Sequence, residues 1–172
     1  MDDFIHIICS ETGKKYEEGL TEVLTSAEYM KYAVKILHSA LKNERRKTGI
    51  LFNKRAKVTY EPHGVAGIIS PWNYPLILTL TPLVEALLAG NTVVLKPSEQ
   101  TPLTVKLMKK VWDESNSDTD IFQVIYGAGD VGHHLISSSK TNIICFTGST
   151  AIGKKIAETC APLFKPVILE LG

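Results

Sequence analysis

VAGIISPWNYPLILTLTPLVEALLAGNTVVLK, residues 65–96, holds the pattern from which the fold is read. It opens on a short apolar run, VAGIIS, and closes on another, TVVLK. Between them stand a polar turn framed by two prolines, SPWNYP at 70–75, and an apolar stretch over 76–89 that ends at Gly90. Short apolar runs flanking a segment of helical length closed by glycine read as strand, helix, strand. Pro82 lies inside the helical stretch, where it kinks the helix or forces it to restart.

The same alternation continues toward the C-terminus. Thr101-Pro102 reads as an N-cap followed by proline at the first helical position, opening a helix that runs to Glu114. SNSDTD, 115–120, is a loop by composition. FQVIY (122–126), a short helix over 130–138, NIICF (142–146), a helix over 150–160 and PVILEL (166–171) complete the series. Five strands alternating with four helices define an α/β fold, a parallel sheet with helices on both faces. Toward the N-terminus, AKVTYEP from residue 56 alternates like an exposed strand. Residues 26–43 place Met30, Ala33, Val34, Leu37 and Leu41 at helical spacing as a core-facing stripe, while residues 1–20 are ambiguous. The expected organisation is a helical segment over 1–55 and a sheet domain over 56–172.

Composition narrows the functional classes. With 172 residues, 44% apolar and 22% charged content and a net charge of +1, the chain has the make-up of an ordinary soluble domain with a real core. No basic excess points to nucleic acid as a partner, and no apolar run is long enough to span a membrane. The acidic start, MDDFIHIICS, is unlike a secretory leader, so a cytoplasmic location is expected. Cys9, Cys145 and Cys160 show no metal or redox spacing and fit a reducing compartment. Cys145 and Cys160 read as packing residues. His133 and His134 are adjacent, about 100° apart on a helix, and read as surface residues; no metal pattern is present.

Sheets of this kind bind ligands at the carboxyl ends of their strands, so the residues there are the candidates. Asn73 follows the first strand. Its side-chain amide is a neutral donor suited to an oxyanion that appears and vanishes during acyl chemistry, or else it caps the next helix. After the second strand, KPSE (96–99) offers Glu99 to accept from ribose hydroxyls and Lys96 to donate to them, or else forms a solvated turn. After the third, GAGDVG (127–132) spells GxGxxG, but no acid stands about 20 residues on. After the fourth, FTGSTAIGKK (146–155) imitates a P-loop, with Lys155 where Ser or Thr would hold Mg²⁺. That argues against an NTPase and leaves a Gly-Ser turn at a helix N-terminus, a ready pyrophosphate site.

GVAGIISPWNYP, AGNTVVLKPSEQTP, FTGSTAIG and PVILELG, in this order and spacing, resemble the aldehyde dehydrogenase superfamily, with the flavour of its class 3 and coniferyl-aldehyde branches. The likeness is dense over 56–172 and weaker over 26–43. It implies a partial, Rossmann-like NAD(P)-binding domain and an NAD(P)-dependent oxidoreductase that converts an aldehyde to a carboxylic acid. Asn73 then corresponds to the oxyanion-stabilising amide and Glu170 to the acid that activates water for deacylation. Ile69, Ser70, Pro71 and Trp72 correspond to the wall beside the nicotinamide, and Lys96, Ser98 and Glu99 to the segment holding the adenosine ribose. Gly129 and Gly132 correspond to the turn around the adenine. Phe146, Gly148 and Ser149, followed by Ile152 and Gly153, correspond to the turn under the pyrophosphate.

In that mechanism a cysteine thiolate attacks the aldehyde, the oxyanion is held by the amide, hydride leaves for the nicotinamide, and Glu170 draws a proton from the water that hydrolyses the thioester. Partial burial is expected to raise the Glu170 pKa toward working pH. Glu99 favours NAD because a carboxylate repels a 2′-phosphate, although the resemblance admits NADP. The family's nucleophilic cysteine lies beyond the LELG motif. The resemblance therefore implies a fragment that is inactive alone, from a homo-oligomeric enzyme or one with a separately encoded C-terminal half. A non-catalytic dinucleotide-binding remnant is the alternative reading.

Overall fold

The computed structural model describes residues 1–115 and 118–172. Two helices come first, α1 (Asp2–Thr12) and α2 (Tyr16–Ala40), then a small antiparallel hairpin of β1 (Glu44–Arg46) and β2 (Ala56–Val58). The alternating part follows: β3 (Val65–Ile69), α3 (Ile77–Leu88), β4 (Thr92–Lys96), α4 (Pro102–Glu114), β5 (Phe122–Val124), α5 (Gly129–Ser137), β6 (Ile143–Gly148), α6 (Thr150–Cys160) and β7 (Val167–Leu171). The five later strands form one parallel sheet in the order β5-β4-β3-β6-β7. The α/β reading with helices on both faces is thus the observed fold. Part of the 115–120 loop, Asn116 and Ser117, lies outside the described residues.

Strand pleating sorts the side chains onto two faces. Ala66, Ile68, Val93, Leu95, Phe122 and Ile143 join Leu76, Leu80 and Leu83 of α3 and Val105 and Met108 of α4 in one core, to which α1 and α2 add Ile5, Ile8 and Val23. On the opposite face, Ile144 and Phe146 pack with Ile136 of α5 and Ile156 and Cys160 of α6. Successive strands are added on one side of β3 (β4, β5) and then on the other (β6, β7), so the crevice at the carboxyl ends of β3 and β6 is the topological switch point.

Several expectations are corrected. The helix read at 26–43 begins ten residues earlier, at Tyr16, and of its five apolar positions only Ala33 is buried. Its buried positions are Gly19, Glu22, Val23, Ser26 and Ala33, while Met30 and Val34 are exposed. Residues 2–12 are helical, and β1 has no apolar pattern from which it would be read. α3 runs through Pro82 without restarting. α4 starts at Pro102, but the Thr101 hydroxyl makes no cap and is buried without a hydrogen-bond partner. Glu11 of α1 takes over the cap, accepting from Leu103 N at 2.5 Å, Thr104 N at 2.9 Å and Thr104 Oγ1 at 2.6 Å.

Candidate active site and dinucleotide cradle

At the switch point an open trough of about 890 Å³ runs along the face that carries α3. Pro71, Trp72 and Asn73 line it after β3, as do Phe146, Gly148 and Ser149 around the end of β6 and Glu170 on β7. The strand register explains the meeting. Glu170 lies beside Thr147, and Ile168 beside Cys145, so these four side chains share one face of the sheet. Thr81, Pro82, Glu85 and Ala86 of α3 form the other wall. The lining carries two carboxylates, Glu85 and Glu170, and neither Lys nor Arg.

Asn73 is exposed, and its Oδ1 accepts from Tyr74 N at 3.1 Å. Its Nδ2 has no protein acceptor among the described residues. The amide does not cap α3, because Glu22 of α2 does, with Oε1 accepting from Leu76 N at 2.8 Å and Ile77 N at 3.3 Å. The donor face of Asn73 is therefore available to a ligand. Glu170 is exposed on the edge strand, so the partial burial expected of it is not found.

Ile69, Lys96 and Gly132 adjoin on the opposite face, the side of α5. A side chain at Gly132 would lie 3.5 Å from Lys96 Cδ and 3.9 Å from Ile69 Cδ1, so these three residues adjoin at the ends of β4, α5 and β3. Lys96 is buried and donates to Pro97 O at 2.9 Å and to Glu99 Oε2 at 3.4 Å, while Glu99 itself is 57% exposed. Donor and acceptor thus stand side by side at a sheet end, the pairing that a vicinal diol requires. Ser98 Oγ accepts from Gln100 N within the same turn. Gly129, at the first turn of α5, is open: a Cβ there would meet no atom within 4 Å. Ser149 caps α6, its Oγ accepting from Ile152 N at 3.4 Å, which leaves a helix N-terminus facing the switch point. Gly153 is buried against Leu171, and Ile152 is exposed. Ser70 is turned inward, its hydroxyl accepting from Thr79 Oγ1 at 2.7 Å. An anion-ready helix end, a diol-ready Lys–Glu pair and the open turn at Gly129 fit a dinucleotide.

The thiols are placed for packing. Burial, with the Glu85 charge second, pushes the Cys145 thiol up to about 11, and burial raises Cys160 as well. Cys9 Sγ approaches Lys15 O at 3.5 Å on the far helices. Neither His133 nor His134 is buried. Among the described residues no group of three His, Cys, Asp or Glu side chains is arranged for a metal, and no helix is long and apolar enough to cross a membrane.

The sequence matches the aldehyde dehydrogenase family over residues 1–172, and the chain belongs to that family. The match takes in the first twenty residues, to which the strand-end motifs do not extend. A probable coniferyl aldehyde dehydrogenase of Pseudomonas aeruginosa is 40% identical over 159 residues, covering 91% of this chain and 33% of the relative. The D-glyceraldehyde dehydrogenase (NADP(+)) of Picrophilus torridus is 32% identical, covering 99% of this chain and 34% of its own length. Among solved structures, betaine aldehyde dehydrogenase of Staphylococcus aureus in complex with NAD+ superposes with a TM-score of 0.91 at 29% identity, over 99% of this chain and 34% of that one. The chain spans about a third of the length of these relatives.

Proposed function

We propose that residues 1–172 supply the dinucleotide cradle, the oxyanion amide and the water-activating base of an NAD(P)-dependent aldehyde dehydrogenase that forms carboxylic acids. The observation that carries this is the meeting of Asn73 and Glu170 in one trough at the switch point, with Lys96, Glu99 and the capped N-terminus of α6 around the same sheet end. On this reading residues 56–172 are the cofactor-binding part.

In the reaction, the Asn73 Nδ2–H donates to the oxygen of the aldehyde as it takes on negative charge; a preorganised donor of this kind lowers the barrier by about 2.7–4 kcal/mol. Its Oδ1 is held by Tyr74 N, so the donor is oriented before substrate arrives. Glu170 takes a proton from the water that hydrolyses the acyl-thiol. It works from an exposed position, so its ready access to water is the feature the site uses. Lys96 and Glu99 bind the ribose diol, and the α6 N-terminus with Ser149 binds the pyrophosphate. A bound nicotinamide supplies the two-electron acceptor. None of the three thiols present is set to act as nucleophile, so the reaction draws its thiol from outside these residues.

Support for a homo-oligomeric holoenzyme comes from the β1–β2 hairpin, with its unpaired edges and with Ile50 and Phe52 more than nine-tenths exposed. A non-catalytic dinucleotide-binding remnant would use the same cradle, and the absence of a usable thiol among these residues is what favours it. Calorimetric titration tests the reading. NAD+ is expected to bind more tightly than NADP+, binding is expected to be lost in Lys96→Met, and the NAD+ preference is expected to narrow in Glu99→Gln. With short and aromatic aldehydes, residues 1–172 alone should form no NADH at 340 nm. Turnover by them alone, or indifference of binding to Lys96, would overturn the reading.

A further inference from the structure

The turn that carries Asn73 is braced from the N-terminal helices. We infer that Lys14 and Glu22 are positioning residues that fix Tyr74 and, through it, the Asn73 amide. The inference rests on the role proposed for Asn73 in giving that fixation a purpose, but not in its geometry.

The Glu22 side chain is fully buried. One oxygen is taken by the first amides of α3, as described above. The other accepts from Lys14 Nζ at 2.7 Å. Lys14 reaches this place because α1 ends at Gly13 in the left-handed conformation, φ 73°, which turns the chain sharply into α2. Only 13% of its side chain is exposed, and its Nζ lies 3.5 Å from the centroid of the Tyr74 ring. A single ammonium thus joins a buried carboxylate to the aromatic face of the residue next to Asn73, an attraction that strengthens as the pair is desolvated. The Tyr74 phenol has no hydrogen bond among the described residues, so the cation is the contact that orients the ring. Since Asn73 Oδ1 is bonded to Tyr74 N, a shift of Tyr74 turns the amide.

Capping alone does not require this arrangement. A Ser, Asp or Asn within the turn would satisfy the first amides of α3. The molecule itself offers the comparison. Glu11 caps α4 with three hydrogen bonds and, among the described residues, forms no salt bridge. It is a long-range cap without the brace.

Two signals at the turn test this, measured on residues 1–172 at a dilution where sedimentation shows a monomer. One is Trp72 emission and acrylamide quenching in a Trp112→Phe background. The other is the Asn73 side-chain amide pair in ¹H–¹⁵N spectra, assigned by its loss in Asn73→Asp. Lys14→Met and Glu22→Gln are expected to move the amide pair by more than a linewidth and to increase Trp72 quenching. Lys14→Arg is expected to restore both signals. Glu11→Gln is expected to lower the melting temperature while leaving both signals in place. Unchanged signals in Lys14→Met, or equal displacement in Glu11→Gln, would refute the brace. If Glu22→Gln fails to fold, the two Lys14 variants decide. These signals report the setting of the amide whether or not it serves an oxyanion, so the nucleotide titrations can fail while the brace stands.

Discussion

Cys145 shows how far environment outweighs residue type. Its thiol lines the trough beside Ile168, within the field of Glu85, and a cysteine there invites a reading as nucleophile. Burial works against it. A thiol pushed up to about 11 is roughly one-thousandth ionised at pH 8, and only the thiolate attacks. The sign is that of an acid whose charged form is disfavoured, so reactivity should rise about tenfold per pH unit until the pKa is reached. Iodoacetamide labelling of the native chain, followed by peptide mass spectrometry between pH 7 and 10, should find position 145 nearly unlabelled at neutral pH and increasingly labelled above pH 9. Rapid stoichiometric labelling at pH 7.5 would contradict this account. At the same scale Asn73 is readable from sequence as an amide at a strand end, but its two possible roles are separable only through Glu22, 51 positions earlier in the chain.

At the scale of elements, what is legible is whatever a local pattern encodes. The strands of the main sheet are short apolar runs, α3 is closed by Gly90 and α4 opens at Pro102, so the order and direction of the elements follow from spacing. What is not legible is how those elements are held, because the holding groups come from elsewhere in the chain. Glu11 caps α4 from 92 positions away, and Glu22 lies inside a buried stripe of α2 where a carboxylate looks out of place. That misplaced acid is the one available signal, since a buried charge must have partners. β1 carries no apolar signal at all, being three charged residues, Glu44, Arg45 and Arg46. Lys165 is a similar case. It is buried after α6 and donates to Ile136 O at 2.6 Å, Ser138 O at 2.7 Å and Thr141 Oγ1 at 2.8 Å, closing the C-terminus of α5. Burial lowers its pKa, but three acceptors keep a use for the charge. Lys165→Met leaves those acceptors without their donor and should cost on the order of 2–3 kcal/mol. Thermal melting should show this as a loss of roughly 5–10 °C. An unchanged melt would mean that water replaces the ammonium at no cost.

For the molecule as a whole, the sheet has more apolar surface than its helices cover. β5 and β7 are both edge strands with open backbone groups, and beyond β6 the face that carries α3 is uncovered, leaving Ile168 half exposed beside the trough. Phe164, Ile50 and Phe52 are each more than nine-tenths exposed, the latter two in the β1–β2 connection. Open strand edges pair with other strands, and exposed apolar residues gain from any cover, so both features drive association in one direction. The six Lys and Arg residues on that hairpin, Arg45, Arg46, Lys47, Lys54, Arg55 and Lys57, oppose it through like-charge repulsion at low salt. Residues 1–172 in isolation should therefore self-associate in a concentration-dependent way, and more strongly as salt screens the hairpin. Sedimentation velocity over a concentration series at low and physiological ionic strength measures this directly. Phe52→Ser combined with Ile50→Ser should weaken the salt-promoted component, and Ile168→Lys the component arising at the sheet face. A monodisperse monomer with a sharp cooperative melt at every concentration and salt would show instead that the edges are self-sufficient.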